Sequence, residues 1–121
     1  MRSAEPHPTL LVVEDEPVIA YDLEDMLTGL GYRVLGPVTT LAEGLELAEA
    51  ETLDGAVLDA NLTDGTSLLI AERLKERGLP FVYVSGYDRR TLEGQRFPDG
   101  PALLKPVRSA ALGSALDGVL G

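Results

Sequence analysis

One stretch decides the fold of this chain: Ala56-Val57-Leu58-Asp59-Ala60-Asn61-Leu62. Three apolar residues run into one carboxylate, Asp59, and a polar turn follows at Thr63-Asp64-Gly65. A short apolar run bounded by turn residues is typical of a strand that is buried on both faces. One aspartate at the end of such a strand has no fixed meaning and can simply cap a turn. Its role therefore depends on how the other strands end.

Other apolar runs also end in chemically useful side chains. The run Leu10 to Val13 leads into Glu14-Asp15-Glu16, the run Pro80 to Ser85 ends in a hydroxyl, and a short run near the C-terminus ends in Lys105. If these runs are parallel strands, their ends lie on the same rim of a sheet.

Helical segments separate the apolar runs. Apolar residues at helical spacing, capping residues and N-terminal prolines predict helices that begin near Pro17, Thr40, Gly65 and Pro106. Between Asp88 and Gly100 we expect at most one short helical piece, around Arg89 to Gly94, because few residues there are apolar.

The alternation of strand and helix predicts the fold. Right-handed helical crossovers join parallel strands, and five such units in 121 residues cannot close an eight-stranded barrel. The predicted fold is α/β: a doubly wound, flavodoxin-like (βα)5 domain whose parallel five-stranded sheet has the order 2-1-3-4-5. We expect residues 1–8 to be a loose N-terminal lead-in and residues 9–121 to form the single domain.

The amino-acid composition limits the classes of partner and of chemical site that we expect. The net charge of -10 disfavours nucleic acid and anionic membranes, and it suits a protein that binds cations. The chain has no cysteine, which excludes disulfides, thiolate metal sites and cysteine nucleophiles. The apolar runs are too short to span a membrane, and no signal-peptide core is visible, so we expect a cytoplasmic protein.

The residues at the strand ends together suggest one type of reaction. In the order 2-1-3-4-5 the first and third strands are neighbours, so Asp15 and Asp59 would lie close enough to share a cation. Mg²⁺ favours such oxygen ligands and often bridges to a phosphoryl group. Lys105 can pair with an anion and Ser85 can donate a hydrogen bond. These groups indicate phosphoryl transfer onto an aspartate, Asp59.

At these residues the chain resembles the receiver domains of two-component response regulators, over essentially residues 9 to 120. The resemblance implies that Asp59 accepts a phosphoryl group from a sensor histidine kinase or a histidine phosphotransfer protein, and that an unnamed downstream protein responds. The motifs that carry it are Val12-Val13-Glu14-Asp15-Glu16, Leu58-Asp59, Asn61-Leu62, Asp64-Gly65, Val84-Ser85-Gly86 and Lys105-Pro106.

The resemblance also implies roles for individual side chains. The implied Mg²⁺ ligands are Asp15, Asp59 and the backbone carbonyl of Asn61, with Glu14 reaching the metal through water. Ser85 and Lys105 would contact the phosphoryl oxygens. The family's Lys-Pro bond is usually cis, and we expect the same at Lys105-Pro106.

Two features depart from the usual receiver pattern. Receivers usually carry Tyr or Phe three residues before the lysine, where this chain has Ala102. The segment between Ser85 and Lys105 is also short of a full helix. Together with the stretch from Pro80 to Tyr87, it is similar, in part, to the FAT GUY subgroup, whose members are often single-domain and are associated with general stress signalling in alphaproteobacteria. There, Tyr83-Val84-Ser85 stands where Phe-Ala-Thr would. In the standard receiver switch the hydroxyl moves inward and the aromatic residue before the lysine follows, and we hypothesise that Tyr87 takes over part of that switch.

Two other functions stay open at this level. A static binding module that has lost phosphorylation is compatible with Ala102. An aspartate-nucleophile phosphohydrolase of haloacid-dehalogenase type uses similar groups, but it places Asp-x-Asp after the first strand, where this chain has Glu14-Asp15-Glu16. We therefore expect no enzyme beyond self-phosphorylation and self-dephosphorylation.

Overall fold

Strands and helices alternate along the chain in a computed structural model that describes residues 7–86 and 97–120. In chain order the elements are β1 (Thr9–Val13), α1 (Pro17–Gly29), β2 (Arg33–Val38), α2 (Leu41–Leu47), β3 (Gly55–Asp59), β4 (Asn61–Leu62), β5 (Gly65–Thr66), α3 (Leu68–Glu76), β6 (Phe81–Ser85), β7 (Ala102–Leu104) and α4 (Ser109–Leu120). No helix in these two ranges is long and apolar enough to cross a bilayer.

Five parallel strands form the main sheet in the order β2-β1-β3-β6-β7. The strands β4 and β5 form a separate antiparallel ribbon. When only the strands of the main sheet are numbered, β6 and β7 are the fourth and fifth, and the order is the predicted 2-1-3-4-5. The predicted α/β fold is therefore confirmed. The ends of β1, β3, β6 and β7 lie on one rim, as parallel strands require.

The central strands divide the core between the two faces of the sheet. In β1, Leu11 and Val13 pack with one cluster while Leu10 and Val12 pack with the other. The first cluster includes residues of α3, and the second includes residues of α1 and α4. This alternation with period two is expected of a strand covered by helices on both sides, and it fixes which residues reach the rim.

Two helix starts differ from the sequence-based predictions. Gly65, predicted to open a helix, lies in β5 with φ +147, and α3 begins at Leu68. A two-residue connection at Thr63 and Asp64 closes a hairpin here, which the helical spacing did not reveal. The last helix begins at Ser109 rather than at Pro106. The helical piece expected at 89–94 lies outside the described residues.

Thr40 caps α2, where a helix start was predicted. Its hydroxyl oxygen accepts a hydrogen bond from the Glu43 N–H at 3.2 Å and donates to the Glu43 carboxylate at 3.0 Å. The predicted cis bond at Lys105-Pro106 is present, and Gly36-Pro37 in the edge strand β2 is also cis.

Candidate functional site

Two neighbouring strand ends bring three carboxylates together on the rim. Asp59 is the last residue of β3, and Glu14 and Asp15 directly follow β1. β1 pairs with β3 in a register that sets Val13 beside Leu58, so the residues that follow are neighbours. One oxygen from each of the three carboxylates lies within 4.8 Å of the others. The structure thus brings together the acids that were chosen from the sequence.

Lys105 reaches this cluster from β7. Its Nζ lies 3.2 Å from Asp59 Oδ2, and 2.9 and 3.1 Å from the two carboxylate oxygens of Glu14. The side chains are 14% exposed for the lysine, 0% for Glu14 and 5% for Asp59. One ammonium therefore pairs with two buried carboxylates, with little solvent to screen the charges.

The charges in this cluster change the affinity of its groups for protons. Burial raises the pKa of the Asp59 carboxyl to about 8; the neighbouring Glu14 adds to the rise, and Lys105 opposes it. Burial acts to lower the pKa of the Lys105 ammonium, but its contacts with Glu14 and Asp59 outweigh that effect and raise it. Burial and the neighbouring carboxylate therefore favour the protonated form of Asp59.

The donor set fits a hard divalent cation. Glu14 Oε1 is buried and accepts no hydrogen bond within the part of the chain that the structure describes, although Lys105 Nζ lies 2.9 Å away. Asp15 is only partly buried, and Asn61 is exposed just beyond Asp59. Carboxylate oxygens with an excess of negative charge and access to water are the environment that Mg²⁺ prefers.

Comparison with known proteins decides the family. No profile of a known protein family matches the chain. The chain is 34% identical over 114 residues to the phyllosphere-induced regulator PhyR of Methylorubrum extorquens, covering 92% of this chain and 43% of PhyR. A response regulator receiver protein from Sinorhizobium medicae has the same fold, with a TM-score of 0.85, 29% identity and 94% of each chain covered. The solution structure of SdrG from Sphingomonas melonis matches with a TM-score of 0.82 and 39% identity, over 95% of this chain and 98% of SdrG.

The chain belongs to the response-regulator receiver family. The chain spans less than half the length of PhyR. The activity of a complete protein with this domain, and the partners that it binds, are therefore proposals.

Ser85 of this receiver domain is well placed on the rim. It ends β6, is 3% exposed, and its carbonyl accepts a hydrogen bond from the Lys105 N–H at 2.8 Å. The β3–β6 register pairs Asp59 with Val84, the residue before it. Ser85 is therefore adjacent to both Asp59 and Lys105 in the sheet. Tyr87, the other predicted switch residue, lies outside the described residues.

A tyrosine that sequence reasoning treated only as part of a motif accompanies Ala102 in this receiver domain. Tyr83 pairs with Ala102 in the β6–β7 register, and both belong to the same core cluster. Its ring makes edge-to-face contacts with Phe81 and Phe97, and its hydroxyl donates to the Pro98 carbonyl at 2.5 Å. The neighbouring strand thus places a buried aromatic ring beside the alanine. The only sequence signal was its position two residues before Ser85, on the same face of the strand.

Proposed function

We propose that this receiver domain accepts a phosphoryl group on Asp59 in a Mg²⁺-dependent reaction, and that the modification changes its binding to a downstream protein. The convergence of Asp59, two further carboxylates and Lys105 carries the proposal. Lys105 Nζ, 3.2 Å from Asp59 Oδ2, is close enough to pair with an anion formed at that oxygen.

Under this proposal the metal ligands are Asp15, Asp59 and the backbone carbonyl of Asn61, with Glu14 acting through water. Bound Mg²⁺ would offset the charge of the acids and of the transferred phosphoryl group. The buried Glu14 oxygen that accepts no hydrogen bond and the partial exposure of Asp15 support this assignment, because they leave acceptor oxygens for an ion and its waters.

The chain's own groups would then orient the reaction. The Asn61 N–H donates to Asp59 Oδ1 at 3.2 Å, while Oδ2 faces Lys105. A carboxylate oxygen of Asp59 forms the new bond to phosphorus as the bond to the donor's histidine nitrogen breaks, and the electron pair leaves on that nitrogen. Lys105 and the Ser85 hydroxyl would hold the phosphoryl oxygens, so their contacts differ between the two states.

Receiver relatives are signalling modules, which supports a histidine kinase or a histidine phosphotransfer protein as the donor. We propose no turnover beyond self-phosphorylation and self-dephosphorylation. Membership of the FAT GUY subgroup and a switch role for Tyr87 also stay predictions.

Incubation with acetyl phosphate tests the proposal, with the product followed by intact mass and by released phosphate. We expect at most one phosphoryl group per chain, dependent on Mg²⁺ and absent from Asp59→Asn. As a control, Asp22→Asn on the exposed side of α1 removes the same charge and should leave the reaction intact. Rapid turnover of excess acetyl phosphate would instead indicate a hydrolase, and no modification would indicate a static module.

A further inference from the structure

We propose that Asp64 is a positioning residue for the metal site, because it fastens the β4–β5 hairpin to the start of α2 and so fixes the backbone of Asn61. This inference rests on the proposed function, since it concerns the same Mg²⁺ site. Asp64 lies outside the acidic cluster and would not touch the ion. Its effect would pass through the hairpin.

The hairpin is too small to hold its own shape. It has two residues in each strand, with Asn61 paired to Thr66 and Leu62 paired to Gly65. Isolated two-stranded hairpins are marginal in water even when they are longer. At the base of the hairpin the Ser67 N–H donates a hydrogen bond to the Ala60 carbonyl at 3.0 Å. This bond joins the two ends of the hairpin. Leu62 is buried and fixes one strand to the core, whereas the exposed tip at Thr63 and Asp64 needs a separate anchor.

Asp64 supplies that anchor at the tip. Its Oδ1 accepts a hydrogen bond from the Leu41 N–H at 2.6 Å, and its Oδ2 lies 3.3 Å from the Ala42 nitrogen, which donates to it. These are the first residues of α2, whose N–H groups have no partner within the helix. The bond from Leu41 holds the pKa of the Asp64 carboxyl below its usual value, so the anchor stays charged. A carboxylate is also favoured at this end of a helix dipole.

The backbone that Asp64 anchors includes Asn61, which contacts Asp59, the proposed phosphoacceptor. The Asn61 N–H donates to Asp59 Oδ1 at 3.2 Å, and the carbonyl of the same residue is the proposed third metal ligand. The side chain of Asn61 is exposed, so its backbone is held by its neighbours: Ala60 and Leu62 are buried, and Asp64 fastens the tip of the hairpin. Gly65 on the opposite strand faces the same helix start, since a Cβ there would lie 3.4 Å from Leu41 Cδ2.

A purely stabilising cap would behave differently. If Asp64 only stabilised α2, its loss would lower stability with and without Mg²⁺ by the same amount and leave the dissociation constant unchanged. Thr40→Ala provides the matched control, because it removes the other cap of α2 without touching the hairpin.

The experiment is a calorimetric Mg²⁺ titration of the wild type, Asp64→Ala, Asp64→Asn and Thr40→Ala. We expect Asp64→Ala to raise the Mg²⁺ dissociation constant about tenfold, the scale typical of lost outer-shell support. Asp64→Asn should have a smaller effect because one acceptor oxygen remains, and Thr40→Ala should stay within about twofold of the wild type, consistent with an effect confined to α2. A wild-type constant in Asp64→Ala, or an equal loss in Thr40→Ala, would overturn the inference.

Amide hydrogen exchange in Mg²⁺-free protein separates this inference from the proposed function. We expect the Asn61 amide to exchange faster in Asp64→Ala than in Thr40→Ala. An unchanged rate would show that Asp64 does not anchor the hairpin, whatever the protein does with phosphate. If the wild type bound no Mg²⁺ while the exchange rates differed as expected, the proposed function would fail and the anchor alone would survive.

Discussion

Replacing Asp59 with asparagine should make the metal-free protein more stable. The structure holds three carboxylates within 4.8 Å of one another, and Asp59 is buried among them. Asparagine keeps the shape of the side chain and removes one charge. If Asp59 serves a reaction at the expense of stability, its replacement by asparagine should stabilise the protein. If Asp59 has a structural role, the same replacement should not.

The magnitude follows from the raised pKa of Asp59, which moves from 3.8 to about 8. At pH 7 this corresponds to an upper limit of about 4 kcal/mol, since the neutral form is favoured over roughly three pH units at about 1.4 kcal/mol each. The opposing charge of Lys105 is already contained in this pKa. We therefore expect a net gain of up to about 4 kcal/mol at pH 7.

The direction of the Asp59 pKa shift determines how the stability depends on pH. A carboxyl group whose pKa is raised on folding binds more protons in the native state, so the stability of the wild type should fall as pH rises from about 4 to about 8. Asp59→Asn lacks this group, and its advantage should grow across the same window. Urea unfolding at several pH values, in the presence of EDTA, measures both curves.

Asp22→Asn serves as the control for net charge, because this residue is exposed on α1. Its stability should stay within about 0.5 kcal/mol of the wild type, as is usual at the surface. The reasoning is refuted if Asp59→Asn is less stable than the wild type at pH 7, or if the difference between them does not change between pH 5 and pH 8.

Three further results are expected. Mg²⁺ at a hundredfold excess over its dissociation constant should stabilise the wild type by about 2.7 kcal/mol in thermal unfolding, and no shift would argue against the site. Tyr83→Phe should lower the free energy of unfolding by about 1 kcal/mol, because it removes the hydrogen bond to the Pro98 carbonyl; an unchanged urea midpoint would contradict this contact. Gly44→Ala should destabilise by up to about 2 kcal/mol, because the cost of a Cβ that lies 2.5 Å from Ile70 Cδ1 and 3.2 Å from Val13 Cγ2 exceeds the gain of about 1 kcal/mol in helix propensity. Gly118→Ala, with no atom within 4 Å, should instead stabilise by up to about 1 kcal/mol, and equal effects of the two would show that packing is not the cause.

The sheet order and the meeting of the strand ends could be predicted from the sequence for one physical reason. Parallel strands joined by helices must place their carboxyl ends on one rim, so Asp59, Asp15 and Lys105 needed only to be recognised as strand ends. The structure places these groups together, and their roles in phosphoryl transfer stay proposals.

Contacts between distant residues could not be predicted in this way. Asp64 bonds to Leu41 across 23 positions, and Tyr83 to the Pro98 carbonyl across 15. No local periodicity encodes either pair, since each depends on how whole elements pack. The predicted helix start at Gly65 was wrong for a related reason. The preceding Asp64 has its cap role on α2, and the local sequence closes a hairpin.

The most direct test of the central claim is to locate the phosphoryl group on the protein. After reaction with acetyl phosphate and Mg²⁺, borohydride reduces an acyl phosphate to an alcohol, and peptide mass spectrometry identifies the reduced residue. We predict reduction at Asp59 alone, lost when EDTA replaces Mg²⁺. Reduction at Glu14 or Asp15 instead, or equal labelling without the metal, would contradict the assignment of Asp59 as the group that the converging strand ends serve.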